Sequence, residues 1–342
     1  MKKNLFIILA LLASLIVFIS CNNSVDDYLE EESPIDPYTT PLTLEFIEKG
    51  EIYAEIDDGY CFGDIFYSIN NGEKRKLTNS HVTVVAGDKV ALYRKNTPKE
   101  KTYYYIAIRC TSDCYIYGNA MSLIADEDFV GADQVFVNSF TTLFEDNKHI
   151  KSHSTKDLVL PATKLAEHCY SGMFAGCTGI TRAFELPATD LAPFCYSALF
   201  QETSIKTAPA LPATTLASSC YYKMFENCTS LVEAPELPAL EMEYECYLCM
   251  FQGCTSLVEA PYLPAETYTN GCYKGMFKNC KSLKSIRCNI KHIETWFIDS
   301  GYFSLQWVKD IGSTGTFYRN PDADWPYGEN AVPSGWEIKN LE

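Results

Sequence analysis

The sequence predicts an α+β protein in which a small N-terminal β-sandwich precedes a solenoid of repeats, each with one short strand and one short helix. Strand-like runs fill the first third of the chain, five copies of one motif follow, and an aromatic segment closes it. A chain of 342 residues can bury a large core. Its hydrophobic fraction of 47% and charged fraction of 21% exclude a largely disordered protein.

Residues 1–20 predict a lipoprotein signal peptide. Two lysines follow Met1, and Leu5–Ile19 is apolar apart from one serine. This run is short for a membrane span, which needs ~20 residues. It ends at Ser20 and Cys21, which resembles the cleavage site of bacterial lipoproteins, and the resemblance implies lipid attachment at Cys21. An uncleaved signal anchor is the alternative.

Residues 21–41 predict a flexible acidic tether, because acidic residues, serine and proline leave no material for a core. Asp26, Asp27 and Glu30–Glu32 are similar to the acidic tract that sends lipoproteins to the outer face of the outer membrane in some Gram-negative anaerobes. This resemblance implies a lipid-anchored protein of the outer membrane and cell surface. A solvated linker is the plainer alternative.

Residues 42–135 predict the β-sandwich. Seven or eight short runs there are rich in Ile, Val and Tyr, which favours strands. Asn70-Asn71-Gly72 is a tight hairpin signal. Cys110 and Cys114 flank three residues between two predicted strands, so a local disulfide and two free thiols are both open.

The five copies occupy residues 160–288. Leu-Pro-Ala begins at positions 160, 186, 211, 237 and 263, at spacings of 26, 25, 26 and 26 residues. Thr229–Pro235 recurs unchanged as Thr255–Pro261. Such copies predict a stack in which each repeat covers the apolar side of its neighbour. Residues 136–159 mimic a copy without its cysteines and predict an N-terminal cap.

Each copy predicts one short helix followed by an irregular strand. Leu216, Cys220 and Met224 are four residues apart, which is typical of one stripe of a helix. Glycine or asparagine, such as Asn227, comes two residues after the Phe of Met-Phe and can adopt the left-handed conformation that ends a helix. Proline then limits the strand. The second copy lacks one residue, which we align with Cys228, so we expect a local disturbance there.

Two columns of cysteines run through the copies, and we interpret both as small buried core residues. Helices pack ~8–10 Å apart, whereas a disulfide needs Cα atoms within ~7 Å, so bonds between repeats are not expected. A bond within a repeat, such as Cys220 to Cys228, is the alternative. The columns are Cys169, Cys195, Cys220, Cys246 and Cys272, and Cys177, Cys228, Cys254 and Cys280.

The pattern Cys-Tyr-x-x-Met-Phe-x-Gly/Asn-Cys-x-Ser-Leu resembles the BspA-like leucine-rich repeats of bacterial surface proteins, over roughly residues 136–342. The resemblance implies a leucine-rich-repeat solenoid that serves in adhesion or protein binding at the cell surface. Its implied partners are host extracellular-matrix proteins and other bacteria. The repeat departs from the family in being a few residues longer and in carrying proline in its strand.

Residues 289–342 predict an aromatic C-terminal cap. All four tryptophans, Trp296, Trp307, Trp325 and Trp336, lie in this segment. Sealing the exposed end of the stack is the favoured role, because such ends must be covered. A sugar-stacking site is the alternative.

The composition argues against an enzyme and against nucleic-acid binding. A net charge of −16 repels phosphate backbones. The five histidines match no catalytic motif, and His149 and His153 alone are a weak metal pair. We therefore predict no catalytic, cofactor-binding or metal-binding residue, although a glycosidase carboxylate pair stays open.

We predict instead a binding face made from the same outward positions of successive repeats. A plain solvated surface is the alternative for each residue. The predicted partners are a protein ligand and, through the lipid anchor, the membrane. A glycan-binding or glycan-processing surface lipoprotein and a structural spacer are the alternative functions. The candidate residues are Thr181, Arg182, Glu185, Lys206, Thr207, Val232, Glu233, Glu236, Val258, Glu259, Tyr262 and Lys284.

Overall fold

The structure is a computed structural model that describes residues 35–56, 64–94, 106–291 and 304–342. The predicted signal peptide, most of the predicted tether, Cys21 and Trp296 lie outside the described residues. Within the described ranges, no helix has both the length and the apolar character needed to cross a bilayer.

Within the described ranges, the N-terminal part contains eight strands, which pair antiparallel with one another in two sheets. The larger contains the order β8-β1-β6-β3-β4 and the smaller the order β5-β2-β7. Inward side chains of both sheets enter one apolar core that continues into the repeats. The strands are β1 (Thr43–Phe46), β2 (Gly50–Ile56), β3 (Phe66–Ile69), β4 (Arg75–Lys76), β5 (Val82–Val84), β6 (Lys89–Tyr93), β7 (Ile106–Cys110) and β8 (Cys114–Asn119).

The turn predicted at Asn70-Asn71-Gly72 is confirmed between β3 and β4. Asn70 and Asn71 have φ of 50° and 60°, and the N–H of Gly72 donates to the carbonyl of Ile69 at 2.8 Å. Asparagine tolerates these left-handed values, which the tight hairpin turn requires at both central residues.

Strand β8 connects the N-terminal sheet to the repeats. One edge pairs antiparallel with β1, and the other pairs in parallel with β9 (Ile150–Ser152) and β10 (Leu158–Val159). Backbone hydrogen bonds therefore cross the boundary predicted between residues 135 and 136. Helix α1 (Ser122–Ala125) and a 3-10 turn (Asp126–Phe129) follow β8.

The segment of each repeat that was predicted to be helical is a chain of turns, which we call the turn ribbon. In the third repeat it covers residues 219–228, and φ is positive at every fourth residue: 52° at Ser219, 55° at Lys223 and 58° at Asn227. The equivalent ribbons cover residues 138–147, 168–177, 194–203, 245–254 and 271–280.

Backbone hydrogen bonds alternate along each ribbon. The N–H groups of Tyr221, Lys223 and Phe225 donate to carbonyls of the next repeat at 2.9–3.1 Å. The N–H groups between them close turns three residues back, as from Met224 to Tyr221 at 3.2 Å. Every second amide thus connects neighbouring repeats, and the remaining amides hold the local turns.

The predicted α+β fold with a helix-bearing leucine-rich-repeat solenoid is therefore wrong. Among the described residues the one α-helix is the four-residue α1, outside the repeats, and sheet predominates. The left-handed residue expected after the helix is present at Asn227, but as the last of a series. A ribbon with a four-residue period gives the same apolar spacing as a helix, which is why Leu216, Cys220 and Met224 misled the prediction.

The repeats also meet through parallel strands. The C-terminal sheet has the order β11-β12-β13-β14, formed by β11 (Glu259–Leu263), β12 (Ser285–Cys288), β13 (Thr316–Arg319) and β14 (Glu337–Asn340). Earlier repeats make single parallel bridges, such as Thr207 to Glu233. Another line of bridges joins Gln134, Lys164, Asp190 and Thr215 in turn.

Aromatic columns fill the interior of the stack. Tyr221 and Tyr247 have ring centroids 5.9 Å apart and planes within 1° of parallel, and Phe225 and Phe251 are 5.6 Å apart. Trp307 lies 6.1 Å from both Tyr273 and Phe277 and so covers the last ring of each column. The tyrosines are Tyr170, Tyr196, Tyr221, Tyr247 and Tyr273, and the phenylalanines are Phe144, Phe174, Phe200, Phe225, Phe251 and Phe277.

The ring of Phe184 packs between two rings of the phenylalanine column, at the junction of the first two repeats. Its ring centroid lies 5.3 Å from Phe174 and 4.8 Å from Phe200, and the side chain is buried. The next repeats have proline at the equivalent position, for example Pro209. A cavity of about 510 Å³ opens beside Phe184, between the strand segments 181–187 and 206–212.

The deletion in the second repeat falls one position later than predicted. The N–H of Thr203 donates to the carbonyl of Phe200 at 3.1 Å, just as that of Cys228 donates to Phe225 at 3.1 Å. Thr203 is buried and so occupies the position of the missing cysteine. The omitted residue is the one that follows, and Glu202 keeps the left-handed φ of the ribbon, at 59°.

Candidate binding face

The structure places all twelve predicted face residues on the exposed surface. It brings several together across repeats: the hydroxyl of Thr207 donates to Glu233 at 3.2 Å, and the N–H of Val232 donates to the carbonyl of Lys206 at 2.9 Å. The N–H of Lys284 likewise donates to Val258 at 2.8 Å. Outward positions of neighbouring repeats are therefore adjacent.

Arg182 has a different role from the other eleven. Its guanidinium donates to the carbonyls of His153 and Ser154 at 2.9 and 3.0 Å and binds the carboxylate of Asp157 at 2.6 Å. The N–H of Arg182 also donates to the hydroxyl of Ser152. These bonds attach the first repeat to the preceding cap, which leaves few donors of Arg182 for a partner.

The most regular surface lies on the C-terminal sheet, and we call it the ladder face. It consists of the outward side chains of β11–β14 in two rows, which the strand register aligns. The first row is Glu259, Ser285, Thr316 and Glu337. The second row is Tyr262, Arg287, Tyr318 and Lys339.

Three members of the second row were missed from sequence. The 26-residue spacing of the copies aligns Tyr262 with Cys288. In the structure the strand register shifts between Glu259 and Tyr262. As a result, Tyr262 pairs with Arg287, and Leu263 pairs with Cys288. The sign that could have revealed this is Cys288 itself, because an apolar residue fits the buried position of Leu263 better than the exposed one of Tyr262.

The second row combines aromatic rings and cations. The guanidinium carbon of Arg287 lies 5.4 Å from the ring centroid of Tyr262, a cation–π distance. Lys339 binds Glu337 of the first row at 3.1 Å, and this hydrogen bond raises the pKa of the lysine. Tyr262 keeps 42% of its surface exposed.

The ladder face has a rigid support. Between its outward residues, Ile286, Cys288 and Phe317 point inward and are completely buried. Continuous parallel pairing from Ser285–Cys288 to Thr316–Arg319 fixes the spacing of the outward rows. The face is therefore preorganised, and binding to it needs little ordering of the backbone.

Both cysteine columns lie in the interior as free thiols, with all nine residues at 0% exposure. In the second column, the thiol of Cys177 donates to the carbonyl of Phe144 at 2.9 Å, and that of Cys254 to Phe225 at 3.1 Å. Burial raises the pKa of Cys177 to about 12, so its sulfur stays protonated near neutral pH. A protonated, buried thiol is a poor nucleophile and a poor metal ligand.

The two histidines of the weak metal pair have separate partners. His149 binds the carboxylate of Asp113 at 3.1 Å, whereas the ring of His153 packs edge-on against Tyr115 at 4.9 Å. Across the described ranges, no group of three His, Cys, Asp or Glu residues could hold a metal ion.

The described tryptophans are buried. Trp307, Trp325 and Trp336 are at most 3% exposed, and two indole N–H groups donate to backbone carbonyls, Trp307 to Ala331 at 2.8 Å and Trp336 to Gly312 at 2.7 Å. These three rings close the end of the stack and offer no face to a sugar.

In its fold, the described chain is a stacked-repeat protein built from turn ribbons and parallel strands. Comparisons with protein-family models, with curated proteins and with solved structures found no match.

Proposed function

We propose that this chain is a non-catalytic, lipid-anchored protein of the cell surface that binds a protein partner through the ladder face. The observation that carries the proposal is the row formed by the exposed Tyr262 and Arg287 and the half-buried Tyr318 on a rigid parallel sheet. Tyrosine and arginine are enriched among the residues that dominate protein–protein binding energy.

The charges of the face fit a partner of mixed charge. Arg287 and Lys339 place cations beside the carboxylates of Glu259 and Glu337, in a chain whose net charge is −16. Such alternation contributes more to orientation and partner choice than to affinity. Apolar contact with the tyrosine rings would then supply most of the binding energy.

The proposed location follows from the N-terminal sequence. Signal-like residues 1–20, Cys21 and the acidic run that follows support a lipid anchor at the outer membrane with the repeats outside the cell. Host extracellular-matrix proteins and surface proteins of other bacteria are the proposed partner classes.

The test removes the centre of the ladder face. The double variant Tyr262→Ala and Arg287→Ala is compared with Tyr244→Ala, which removes a tyrosine of similar exposure, 45% against 42%, outside the ladder face. Biosensors carry purified extracellular-matrix proteins or surface proteins of neighbouring bacteria. We expect the double variant to lose at least tenfold in affinity at an unchanged melting temperature. Equal binding by both variants would show that the face is not the site.

A further inference from the structure

Two buried sulfurs meet at the corner where the N-terminal sheets join. Cys110 ends β7 in the smaller sheet, and Cys114 begins β8 in the larger one. Their Sγ atoms are 3.7 Å apart, with the Cys114 thiol donating to Cys110. A disulfide has sulfurs about 2.05 Å apart, so a movement of under ~2 Å closes the pair.

The loop between them is already held in place. The backbone N–H of Thr111 donates to the carbonyl of Glu51 at 3.0 Å, and its hydroxyl accepts from the N–H of Glu51 at 2.9 Å. Ser112 is buried, at 4% exposure. Because these contacts already hold the loop, it loses little conformational freedom when the pair closes.

We propose that Cys110 and Cys114 are a site of oxidative modification and form a disulfide that joins the two N-terminal sheets, while the nine cysteines of the two columns stay reduced. The oxidant is a disulfide, from a small molecule such as oxidised glutathione or from a protein. Cys110 gives its proton to water, and its thiolate attacks one oxidant sulfur. The oxidant S–S bond breaks, a mixed disulfide forms on Cys110, and the other oxidant sulfur leaves as a thiolate that takes up a proton. Cys114 then loses its proton, and its thiolate attacks the Cys110 sulfur and displaces the second oxidant sulfur as a thiolate, which is also protonated. Two protein thiols are thereby oxidised to one disulfide, and the oxidant disulfide is reduced to two thiols.

The order of attack follows from exposure and charge. Cys110 keeps 7% of its surface exposed, whereas Cys114 keeps 0%. The hydrogen bond with Cys110 is the main cause that raises the pKa of Cys114, followed by burial. Once Cys110 is in a mixed disulfide, the thiol–thiol hydrogen bond that raises the pKa of Cys114 is broken, which favours ionisation of Cys114 for the second step.

The column cysteines are not accessible to such an oxidant. The thiols of Cys228, Cys254 and Cys280 each donate to a phenylalanine carbonyl of the preceding repeat at 2.9–3.1 Å, and all three are completely buried. A bulky oxidant cannot reach them without opening the stack.

The bond would stabilise the connection between the sheets and the repeats. Asp113, inside the closed loop, binds Lys151 and also His149 at 3.1 Å, both next to or within β9. Lys151 is the main cause that lowers the pKa of Asp113, although burial opposes it. A disulfide that restrains residues 110–114 therefore also restrains the carboxylate of Asp113, which connects the start of β8 to β9.

The experiment oxidises the reduced full chain with oxidised glutathione, alkylates the remaining thiols and maps the peptides by mass spectrometry. We expect one disulfide, between Cys110 and Cys114, with the nine cysteines of the two columns alkylated only after denaturation. The melting temperature should rise by about 4 °C, because closing a short loop restricts the unfolded chain.

Two variants complete the test. Cys110→Ser should show neither the disulfide nor the rise in melting temperature, and Cys249→Ser, at a half-buried cysteine outside the pair, should show both. Cys110 and Cys114 alkylated after oxidation would overturn the proposal. So would a bond from Cys114 to the nearby Cys177, and peptide mapping of the wild type detects either result even if a variant fails to fold.

Discussion

Cys254 shows what a thiol does in this interior. It has no exposed surface, it donates to the carbonyl of Phe225 at 3.1 Å, and that carbonyl also accepts the turn hydrogen bond from Cys228 at 3.1 Å. The thiol is thus a second donor to a carbonyl with two lone pairs. A small side chain that can donate suits a position where two repeats meet.

Replacing Cys254 should measure this contribution. Cys254→Ala is expected to lower the free energy of unfolding by about 1–2 kcal/mol, because it removes a donor and leaves a small cavity. Urea denaturation provides the measurement. Cys249→Ala, at a half-buried cysteine of the same repeat outside both columns, should change it by less than ~0.5 kcal/mol. Equal losses in the two variants would mean that the column position has no special contribution.

At the scale of one element, the turn ribbon is defined by its left-handed residues. Gly172 and Gly275 have φ of 62°, and the equivalent Ala198 and Lys223 have 51° and 55°. Glycine adopts this conformation without steric cost, whereas other residues incur strain that rises with branching at Cβ. At every fourth position, the ribbon therefore favours glycine and disfavours residues branched at Cβ, whereas a helix disfavours glycine.

Ala198 tests the ribbon against the helix. Ala198→Gly is expected to leave stability unchanged or to raise it by up to ~1 kcal/mol, and Ala198→Val to lower it by about 1–2 kcal/mol, because φ is 51° there. In a helix, glycine would instead lower stability by about 1 kcal/mol. Thermal and urea unfolding of both variants measure whether glycine at position 198 is at least as stable as alanine, as the ribbon predicts, or less stable, as a helix predicts.

Phe184 tests the packing between the first two repeats. Phe184→Ala removes a buried ring in contact with Phe174 and Phe200, so we expect a loss of about 3–5 kcal/mol. Leu240→Ala, at an apolar side chain with 64% of its surface exposed, is the control and should have little effect. A loss under ~1 kcal/mol for Phe184→Ala, measured by urea denaturation, would contradict its role in the column.

Sequence reasoning succeeded where a pattern had one structural meaning. Asn70-Asn71-Gly72 favours a left-handed turn in any fold, because asparagine tolerates positive φ. It failed where a pattern had two meanings: apolar residues four apart, such as Cys220 and Met224, fit both a helix and a four-residue turn. The register shift after Glu259 is also invisible in equal spacing, which is why Arg287 was not recognised.

For the whole molecule, the buried columns predict sensitivity to alkali. Burial raises the pKa of Cys169, Cys220 and Cys272 to about 12, and that of the column tyrosines well above their ordinary value. In the unfolded chain a cysteine ionises near pH 8.5. Above that pH the folded state holds protons that the unfolded state releases, so stability falls as pH rises through the window between the two values.

The effect accumulates over the stack. Above about pH 8.5, each buried thiol lowers the free energy of unfolding by roughly 1 kcal/mol per pH unit. The nine column thiols and Cys288 all act in this direction, so about one to two pH units offset the ~5–15 kcal/mol that stabilises an ordinary domain. We expect cooperative unfolding with a midpoint between about pH 9 and 10.5. Tryptophan fluorescence, measured as the pH is raised, monitors this transition. A fold that persists through pH 11 would contradict the burial of the columns.

The central claim is that successive repeats lie side by side and share backbone hydrogen bonds along turn ribbons. Scalar couplings across hydrogen bonds, measured by NMR on the isotope-labelled chain, report donor and acceptor directly. The structure predicts coupling from the N–H of Phe225 to the carbonyl of Met250 in the next repeat, and from the N–H of Met224 to the carbonyl of Tyr221. Couplings from Phe225 to Tyr221 and from Met224 to Cys220, four residues back along the same segment, would show a helix and contradict the account.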